Sequence, residues 1–202
     1  MKGPIGEFEI PEAPENTREH VRALSQQVFD GEYDHPDLPK DGVRRILDIG
    51  CGWGAFAVWA HTLWPDARII GYDPHEAALS YFHRNAPFAA AFPIAVTAEA
   101  RALYGVSWEW GSGHTRGRTD GREVTAFHPR FLAEADILKC DAEGVEIDVV
   151  GGYPFLRELK ALIYEFHSPE DRTTLRAMCR HYGFRNIKES TEDYGVSIWL
   201  PN

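Results

Sequence analysis

The chain has 202 residues, of which 44% are hydrophobic and 26% charged, a composition typical of a soluble globular protein with one sizeable core. Lys and Arg total 21 against 31 Asp and Glu, which gives a formal net charge of -10. A surface of this charge repels a phosphate backbone, so we expect no nucleic-acid partner unless one face is locally basic.

The three cysteines lie far apart and form no C-x-x-C pair, which argues against a disulfide scaffold or a structural zinc site. The first residues, MKGPIGEFEIPEAPE, lack the apolar core of a signal peptide, and no run approaches the ~18 apolar residues of a membrane span. The sequence therefore predicts a soluble, cytoplasmic protein without a membrane partner.

We expect two parts in the chain, an N-terminal arm and helix in residues 1–41 and a main domain in residues 42–202. Residues 1–16 are rich in Pro, Gly and Glu, which predicts a loosely attached arm. Asn16 or Thr17 then caps a helix whose apolar residues recur at helical spacing.

A turn-rich segment follows in residues 32–41, where two prolines forbid a helix. Its Tyr33, Asp34 and His35 are polar side chains beside the first predicted strand, where they could touch a substrate. An ordinary surface loop is the more common outcome for such a segment.

The sequence of residues 45–73, RILDIGCGWGAFAVWAHTLWPDARIIGYD, predicts a strand, a glycine loop, a helix, a second strand and an acid. This order is typical of a nucleotide-binding half of a doubly wound sheet. Gly50, Gly52 and Gly54 have the spacing G-x-G-x-G, whereas the dinucleotide fingerprint is G-x-G-x-x-G. The glycines alone could also form a tight strand-to-helix turn in some other α/β protein.

Two acids indicate which nucleotide the loop suits. Asp48 precedes the first glycine by two residues, where it could accept hydrogen bonds from an ammonium group and would repel a pyrophosphate. Asp73, at the end of the second strand, could accept both hydroxyls of a ribose. The ligand with a ribose, an amino-acid tail and no phosphate is S-adenosylmethionine (SAM). The cofactor contacts predicted here are Asp48, Gly50, Cys51, Gly52, Asp73 and Pro74.

Residues 92–96, FPIAV, predict a third strand, which leaves Thr97, Ala98 and Glu99 at its carboxyl end. In this architecture, ligands lie outside the carboxyl ends of the strands. We therefore expect these three residues to contact the adenine part of the cofactor, with Glu99 near its amino group.

An insertion interrupts the alternation of strands and helices. Residues 106–110 and 123–127 alternate as strands do, and residues 111–121 form a glycine-rich loop between them, which predicts a hairpin insertion. The loop region carries a basic cluster made of His114, Arg116, Arg118 and Arg122. Such a cluster could attract an anionic substrate, although a solvated loop is more common.

Acids and a histidine follow the next two predicted strands. Residues 135–140 form a buried strand that is followed at once by Asp141 and Glu143, and residues 159–166 form another, followed by His167. Because neighbouring parallel strands end at the same edge of a sheet, we expect these three side chains to lie together near the transferable methyl group.

If the methyl acceptor is a hydroxyl, its proton must leave. A positioned base contributes about 10²- to 10⁴-fold, and a divalent cation such as Mg²⁺ could instead acidify the hydroxyl. We predict Asp141 as the principal catalytic residue and His167 and Glu143 as the others, with the same three as ligands in the metal version. The structural alternatives are a helix cap for Asp141, a backbone-bonding acid for Glu143 and a carbonyl-bonded buried histidine for His167. Lys139 is expected to pair with a carboxylate.

The C-terminal part predicts an amphipathic helix in residues 169–181 and two strands in residues 184–188 and 196–200. A closing antiparallel hairpin fits the seven-stranded sheet of SAM-dependent methyltransferases. The predicted fold class is therefore α/β: a class I methyltransferase (Rossmann-like) three-layer sandwich around a mostly parallel seven-stranded sheet.

The segments LDIGCGWGAFAVWA, GYDP, LKCDAEGVE and LIYEFH occur in this order within residues 29–184, and together they resemble the FkbM-type SAM-dependent methyltransferases. The resemblance implies O-methylation of a sugar or natural-product hydroxyl, with Asp48, Gly50, Gly52 and Asp73 at cofactor positions. Asp141, Glu143, Gly144 and His167 match the later motifs. Cys140 and Ala142 depart from the aliphatic residues that are more common there.

Other functions remain open at this point. An N-methyltransferase or a nucleic-acid methyltransferase would share the cofactor, but the acidic balance and the absence of an N/D-P-P-Y/F motif weigh against both. A catalytically silent SAM-binding module that acts through a partner is the alternative outside enzymes.

Overall fold

The computed structural model describes residues 1–12, 15–98, 102–107, 112–114 and 122–202. For residues 102–107, 112–114 and 122 it describes the backbone alone. The helices are α1 (Glu15–Phe29), α2 (Ala55–Leu63), α3 (Glu76–Asn85), α4 (Glu146–Gly152) and α5 (Pro169–His181), with 3-10 turns at Pro129–Phe131 and Leu156–Glu158. The strands are β1 (Lys2–Gly3), β2 (Gly6–Glu7), β3 (Arg45–Ile49), β4 (Arg68–Tyr72), β5 (Ala90–Phe92), β6 (Ala95–Val96), β7 (Ala102–Ser107), β8 (Ser112–His114), β9 (Arg122–Val124), β10 (Ala126–Phe127), β11 (Ile137–Cys140), β12 (Ala161–Phe166), β13 (Phe184–Glu189) and β14 (Gly195–Pro201).

The central sheet has seven strands in the order β13-β14-β12-β11-β3-β4-β5. The five strands from β12 to β5 are parallel, whereas β14 runs antiparallel to both β12 and β13. The predicted mostly parallel seven-stranded sheet with a C-terminal antiparallel hairpin is therefore confirmed. Its parallel strands place their carboxyl ends along one edge, where the predicted site residues follow.

Helices cover both faces of this sheet. Successive side chains of a strand point to opposite faces, so a strand with consecutive apolar residues presents an apolar surface on each side. On β3, Ile46 belongs to the apolar cluster that includes side chains of α1, α2 and α3. Its neighbour Leu47 belongs to a second cluster with side chains of α4 and α5. The alternation of a buried strand thus produces the three layers of the sandwich.

The predicted third strand, residues 92–96, is wrong in its bounds. Ala90–Phe92 pairs with β4 at the edge of the central sheet, while Ala95–Val96 pairs in parallel with β10 in a separate two-stranded sheet. Pro93 separates the two, and proline lacks the N–H that a continuous ladder needs. The carboxyl end of the sheet strand therefore lies at Phe92, five residues before Thr97.

The described backbone of the insertion is antiparallel, as predicted, but the predicted strand 123–127 is divided: Arg122–Val124 belongs to the insertion, whereas Ala126–Phe127 pairs with β6. Strand β7 pairs with β8 and with β9 in a three-stranded sheet. Residues 108–111 lie outside the described part, and the side chains of the basic cluster, His114, Arg116, Arg118 and Arg122, do so as well.

The N-terminal arm packs against the domain, so the expected loose attachment is wrong. Phe8 is only 2% exposed and its ring meets Phe29 edge to face at 5.2 Å. The Glu9 amide donates to the Asn85 side chain at 2.7 Å, and its carboxylate pairs with Arg84 at 2.6 Å. The Pro-, Gly- and Glu-rich composition of the arm did not predict this packing, because a single apolar side chain, Phe8, is enough to anchor the arm. The boundary at residue 41 stays a prediction.

Helix α5 shows how local sequence sets an element. Ser168 is its N-cap and accepts a hydrogen bond from the Asp171 amide at 3.1 Å, and Pro169 occupies the first turn, where its missing N–H costs nothing. The predicted bounds, residues 169–181, are confirmed. In the part of the chain that the structure describes, none of the helices is both apolar and long enough to span a membrane.

Candidate cofactor and acceptor cleft

The glycine turn after β3 depends on two glycines for different reasons. Gly50 has φ +74°, and a Cβ placed on it would lie 1.6 Å from the Asp141 carbonyl oxygen. Gly52 has φ +48°, and a Cβ there would meet nothing within 4 Å. Only glycine permits the close approach at Gly50, while Gly52 leaves open space for a ligand above the turn.

Asp73, at the end of β4, is bonded to this turn. One carboxylate oxygen accepts the Gly52 amide at 2.9 Å and the other accepts the His75 amide at 2.8 Å. Burial raises the pKa of Asp73, and these two backbone donors oppose the rise. Because an ionised carboxylate offers about four lone-pair positions, each oxygen can accept one more donor. The residue therefore fits the predicted pairing with two ribose hydroxyls.

Asp48 differs from the prediction. It is fully buried and its carboxylate lies 3.2 Å from the Lys139 ammonium, which also donates to the Gly50 carbonyl at 2.8 Å. Lys139 is the register partner of Asp48 on the neighbouring strand β11, so the two side chains share a face. The predicted pairing of Lys139 with a carboxylate is confirmed. Asp48 therefore pairs with an ammonium group of the protein itself, whereas we expected it to bond to the ammonium group of the cofactor.

A cleft of about 930 Å³ lies at the carboxyl ends of β3, β4, β11 and β12. We call one side the glycine-turn half, lined by Gly50, Cys51, Gly52, Trp53, Asp73, Pro74, His75 and residues 94–96. We call the other the connector half, after the connector, residues 31–34, which follows α1. It is lined by His20, Leu24, Gln27, Val28, Glu32, Tyr33, Glu165, His167 and residues 190–192, 194 and 195. Asp141 and Glu143 also line the cleft, and the strand that they follow, β11, lies between β3 and β12.

The part of the chain that lines the cleft after the third strand is shifted from the residues that were predicted to contact the adenine. Ile94, Ala95 and Val96 line the cleft, whereas Thr97 is buried at 1% exposure and is not among the lining residues, nor is Ala98. The shift follows from the break at Pro93, which moves the chain out of the central sheet. Glu99 lies outside the described residues.

His167 brings together the carboxylates after β11. Its Nε2 lies 3.3 Å from Glu146 and 3.6 Å from Asp141, and its Nδ1 lies 3.8 Å from Glu143. The three residues predicted to meet at the strand ends therefore do meet, and Glu146 joins them. Burial disfavours the imidazolium, but pairing with Glu146 and the charge of Asp141 outweigh it and raise the pKa of His167 to about 10.

Glu146 has the structural role that was weighed as the alternative for Glu143. It is 2% exposed, and its carboxylate accepts the amides of Ala142 at 2.8 Å and Gly144 at 2.9 Å. Asp141 is not the cap of α4, whose N-cap is Val145 without a side-chain bond. Sequence reasoning missed Glu146 because it lies inside the helix pattern rather than at the strand end.

Asp141, Glu146 and His167 could together hold a metal ion, because one ligand atom from each lies within 4.8 Å of the others. Two of the three predicted metal ligands are in this group, with Glu146 in the place of Glu143. Carboxylate and imidazole donors suit several divalent cations. An ion there would require the His167 imidazole to lose its proton.

Glu165 and Tyr33 form a pair in the connector half. The Tyr33 hydroxyl donates to the Glu165 carboxylate at 3.0 Å, and the tyrosine is 2% exposed. Burial, with the charge of Asp141, raises the pKa of Glu165 to about 8. One indication of a role for Glu165 was present in the sequence. It lies two residues before His167, so in an extended chain the two side chains lie on the same face.

Residues 46–104 match the model of a family described as a methyltransferase domain. The chain also resembles the solved methyltransferase FkbM from Methylobacillus flagellatus KT, with a TM-score of 0.60 and 12% identity over 93% of this chain and 55% of that one. The solved precorrin-6y C5,15-methyltransferase from Geobacter metallireducens GS-15 gives a TM-score of 0.52 and 14% identity over 95% and 93%. The fold is that of a class I methyltransferase.

A curated human protein, MTRF1L release factor glutamine methyltransferase, is 42% identical over 45 residues, which cover 22% of this chain and 13% of that protein. Together with the glycine turn and Asp73, the family match supports a SAM-dependent methyltransferase with SAM as the cofactor. The names of these relatives differ in what is methylated, and the matches give no support for a divalent cation.

Proposed function

We propose that the chain is a SAM-dependent O-methyltransferase of the FkbM type, acting in the cytoplasm on a hydroxyl of a small molecule such as a sugar or natural product. The observation that carries the proposal is the placement of two carboxylates, Asp141 and Glu165, in the same cleft as the glycine turn. A hydroxyl acceptor needs a group that receives its proton, and this cleft offers one with a suitable pKa.

In this proposal the glycine-turn half holds the cofactor. Asp73 binds the ribose hydroxyls, and the open space above Gly52 accommodates the amino-acid part. When bound, SAM supplies an electrophilic methyl group on a sulfonium. The acidic residues around the cleft favour its positive charges, and closure around the reactants aligns them and excludes water.

The proton is assigned to Glu165. An efficient base has a pKa near the working pH, and the pKa of Glu165 is about 8. Asp141 lies between two cations, 3.5 Å from Lys139 and 3.6 Å from His167, which fix its orientation. We therefore propose that Asp141 orients the acceptor hydroxyl and that Glu165 takes the proton.

His167 then acts as a cation rather than as the base. With a pKa of about 10, its imidazole carries a proton at neutral pH and has no free lone pair for a second one. Its charge holds the carboxylates of Asp141, Glu143 and Glu146 in one cluster.

A metal-assisted version is the second candidate, favoured by the proximity of Asp141, Glu146 and His167. A divalent cation held there would acidify the acceptor hydroxyl. Turnover that is unchanged by a chelator would eliminate this version and leave the base version standing, whereas loss of turnover that Mg²⁺ restores would favour it.

The test is transfer of an isotopically labelled methyl group from SAM to a panel of glucose, glucosamine, glucuronic acid and catechol, with SAM binding followed by calorimetry. We expect SAM to bind and at least one hydroxyl to be methylated, with the position assigned by mass spectrometry. Binding without any transfer would favour the silent SAM-binding module, and transfer to a glutamine or nucleobase nitrogen instead would favour an N-methyltransferase.

A further inference from the structure

The connector, residues 31–34, links α1 to the segment before β3 and supplies Glu32 and Tyr33 to the cleft. The Lys188 ammonium donates to three carbonyl oxygens of the connector: Gly31 at 3.1 Å, Glu32 at 2.7 Å and Asp34 at 3.2 Å. An ammonium group has three N–H donors, so all of them are used on one short segment. Charge-assisted bonds of this kind are stronger than neutral ones.

The position of Lys188 is itself specified by the strand that carries it. The register of β13 against β14 shifts between Asn186 and Lys188, as it does at a β-bulge. The Asn186 side chain donates to the Lys188 carbonyl at 3.1 Å and to the Ser197 hydroxyl at 3.0 Å, which holds the bulge in place.

Tyr33 lies between the carbonyls that Lys188 binds. Its ring packs edge to face on Phe56 at 5.2 Å and meets Trp59 at 5.4 Å, while the Trp59 indole donates to the Asp34 carboxylate at 2.8 Å. These contacts fix the Tyr33 hydroxyl on the Glu165 carboxylate. Lys188 does not line the cleft itself, so its influence on the cleft passes through the connector.

We propose that Lys188 is a positioning residue for the methyl acceptor. By binding the connector carbonyls on both sides of Tyr33, it holds Glu32 and Tyr33 as the wall against which the acceptor hydroxyl is presented to Glu165. The inference rests on the proposed function, and it assigns the connector half to the acceptor.

The test replaces Lys188 by methionine, which keeps the length of the side chain and removes its donors. Lys160→Met is the matched control, because the Lys160 ammonium also donates to a loop carbonyl, that of Gly42, and pairs with Asp136 at 3.1 Å. Lys160 immediately precedes β12, at the edge of the sheet opposite to the cleft.

The first measurement is hydrogen exchange of two connector amides. The Glu32 amide donates to the Gln27 carbonyl at 3.1 Å, and the Asp34 amide donates to the Gly31 carbonyl at 3.0 Å. We expect both to exchange about tenfold faster in Lys188→Met, since opening of the connector loses charge-assisted bonds. In Lys160→Met they keep their wild-type rates.

The second measurement separates acceptor from cofactor. We expect Lys188→Met to raise KM for the best acceptor of the panel about tenfold while the Kd for S-adenosylhomocysteine stays within about twofold. In a Tyr33→Phe background, the same change has a smaller effect on KM, because both residues act at one contact.

Unchanged exchange of the Glu32 and Asp34 amides in Lys188→Met would overturn the inference at its first step. Faster exchange with an unchanged KM would show that the connector is not the acceptor wall. An equal loss of S-adenosylhomocysteine affinity would indicate a general disturbance instead of positioning. If wild type methylates nothing in the panel, the proposed function and the acceptor assignment fail together, while the exchange result still decides whether Lys188 holds the connector.

Discussion

The glycine-turn half and the connector half of the cleft are built in opposite ways. In the glycine-turn half, a side chain bonds to backbone amides within one strand–turn–helix–strand unit, as the Asp73 carboxylate accepts the Gly52 and His75 amides. In the connector half, side chains from distant elements meet, as Tyr33 does with Glu165 and Lys188 with the connector carbonyls. The first half tolerates little change in its backbone, while the second depends on a few side-chain contacts.

The largest effect is expected from a substitution that disturbs the backbone of the glycine turn. We expect Gly50→Ala to destabilise the fold by at least ~3 kcal/mol, because the new Cβ would overlap the Asp141 carbonyl. Gly52→Ala is the matched control, since its Cβ enters open space and only the positive φ opposes it, at about 1 kcal/mol. Urea unfolding measures both. Equal losses would mean that the contact at Gly50 does not matter.

The next largest effect belongs to the connector half. Glu165→Gln keeps an acceptor for the Tyr33 hydroxyl but cannot take a proton, so we expect kcat to fall about 10²-fold or more. Because only the ionised carboxylate accepts a proton, the wild-type rate should rise with pH up to about 8 and then level off. The variant should lack this rise.

The control for that experiment is Glu158→Gln, an exposed glutamate near the start of the same strand. It should keep the wild-type rate and pH profile. A Glu165→Gln enzyme with full activity would return the role of base to Asp141, and Asp141→Asn would then be the variant to measure.

A smaller effect is expected for the cofactor contact. Asp73→Asn replaces one carboxylate oxygen by an amide that faces a backbone N–H, and we expect binding of S-adenosylhomocysteine to weaken about ten- to hundredfold. Asp66→Asn, an exposed aspartate before the same strand, should bind as wild type does. Calorimetry distinguishes them, and equal affinities would remove Asp73 from the cofactor site.

The smallest effect is a dependence of stability on pH. The pKa of His167 is raised from 6.5 to about 10, so its stabilising contribution is complete below about pH 6.5 and is lost as the pH rises towards 10. We expect the difference in free energy of unfolding between wild type and His167→Gln to shrink over this window as the imidazolium loses its proton. His181→Gln, at an exposed histidine, should show no such trend. A difference that grew with pH would contradict the charged state assigned to His167.

The two halves also differed in how well the sequence predicted them. The strand, glycine turn, helix and Asp73 were predicted because spacing along the chain determines local backbone geometry. The union of Asp141, Glu143 and His167 was predicted from the shared edge of parallel strands, and the structure brings them together.

What the sequence did not reveal depends on pairings across the sheet and on single breaks in a pattern. Lys139 was predicted to pair with a carboxylate, but that its partner is Asp48 follows from the register of two strands, which no local pattern encodes. Pro93 divided a run that looked like one strand and so moved Thr97 away from the cleft. Lys188 gains its role from a bulge, and bulges leave no clear mark in a sequence.

The close approach of Gly50 to the Asp141 carbonyl joins two segments that are far apart in the sequence. The Asp141 amide also donates to the Ile49 carbonyl at 2.9 Å, so the backbones on either side of the cleft floor are locked to each other. A change in the backbone of either segment therefore disturbs the other. The connector is bonded to α1 through its backbone, but its contacts with β12, β13 and α2 are made through the side chains of Tyr33, Lys188 and Trp59. Under the proposed function, it is the part of the cleft whose exchange would admit a new acceptor while the cofactor turn stays intact.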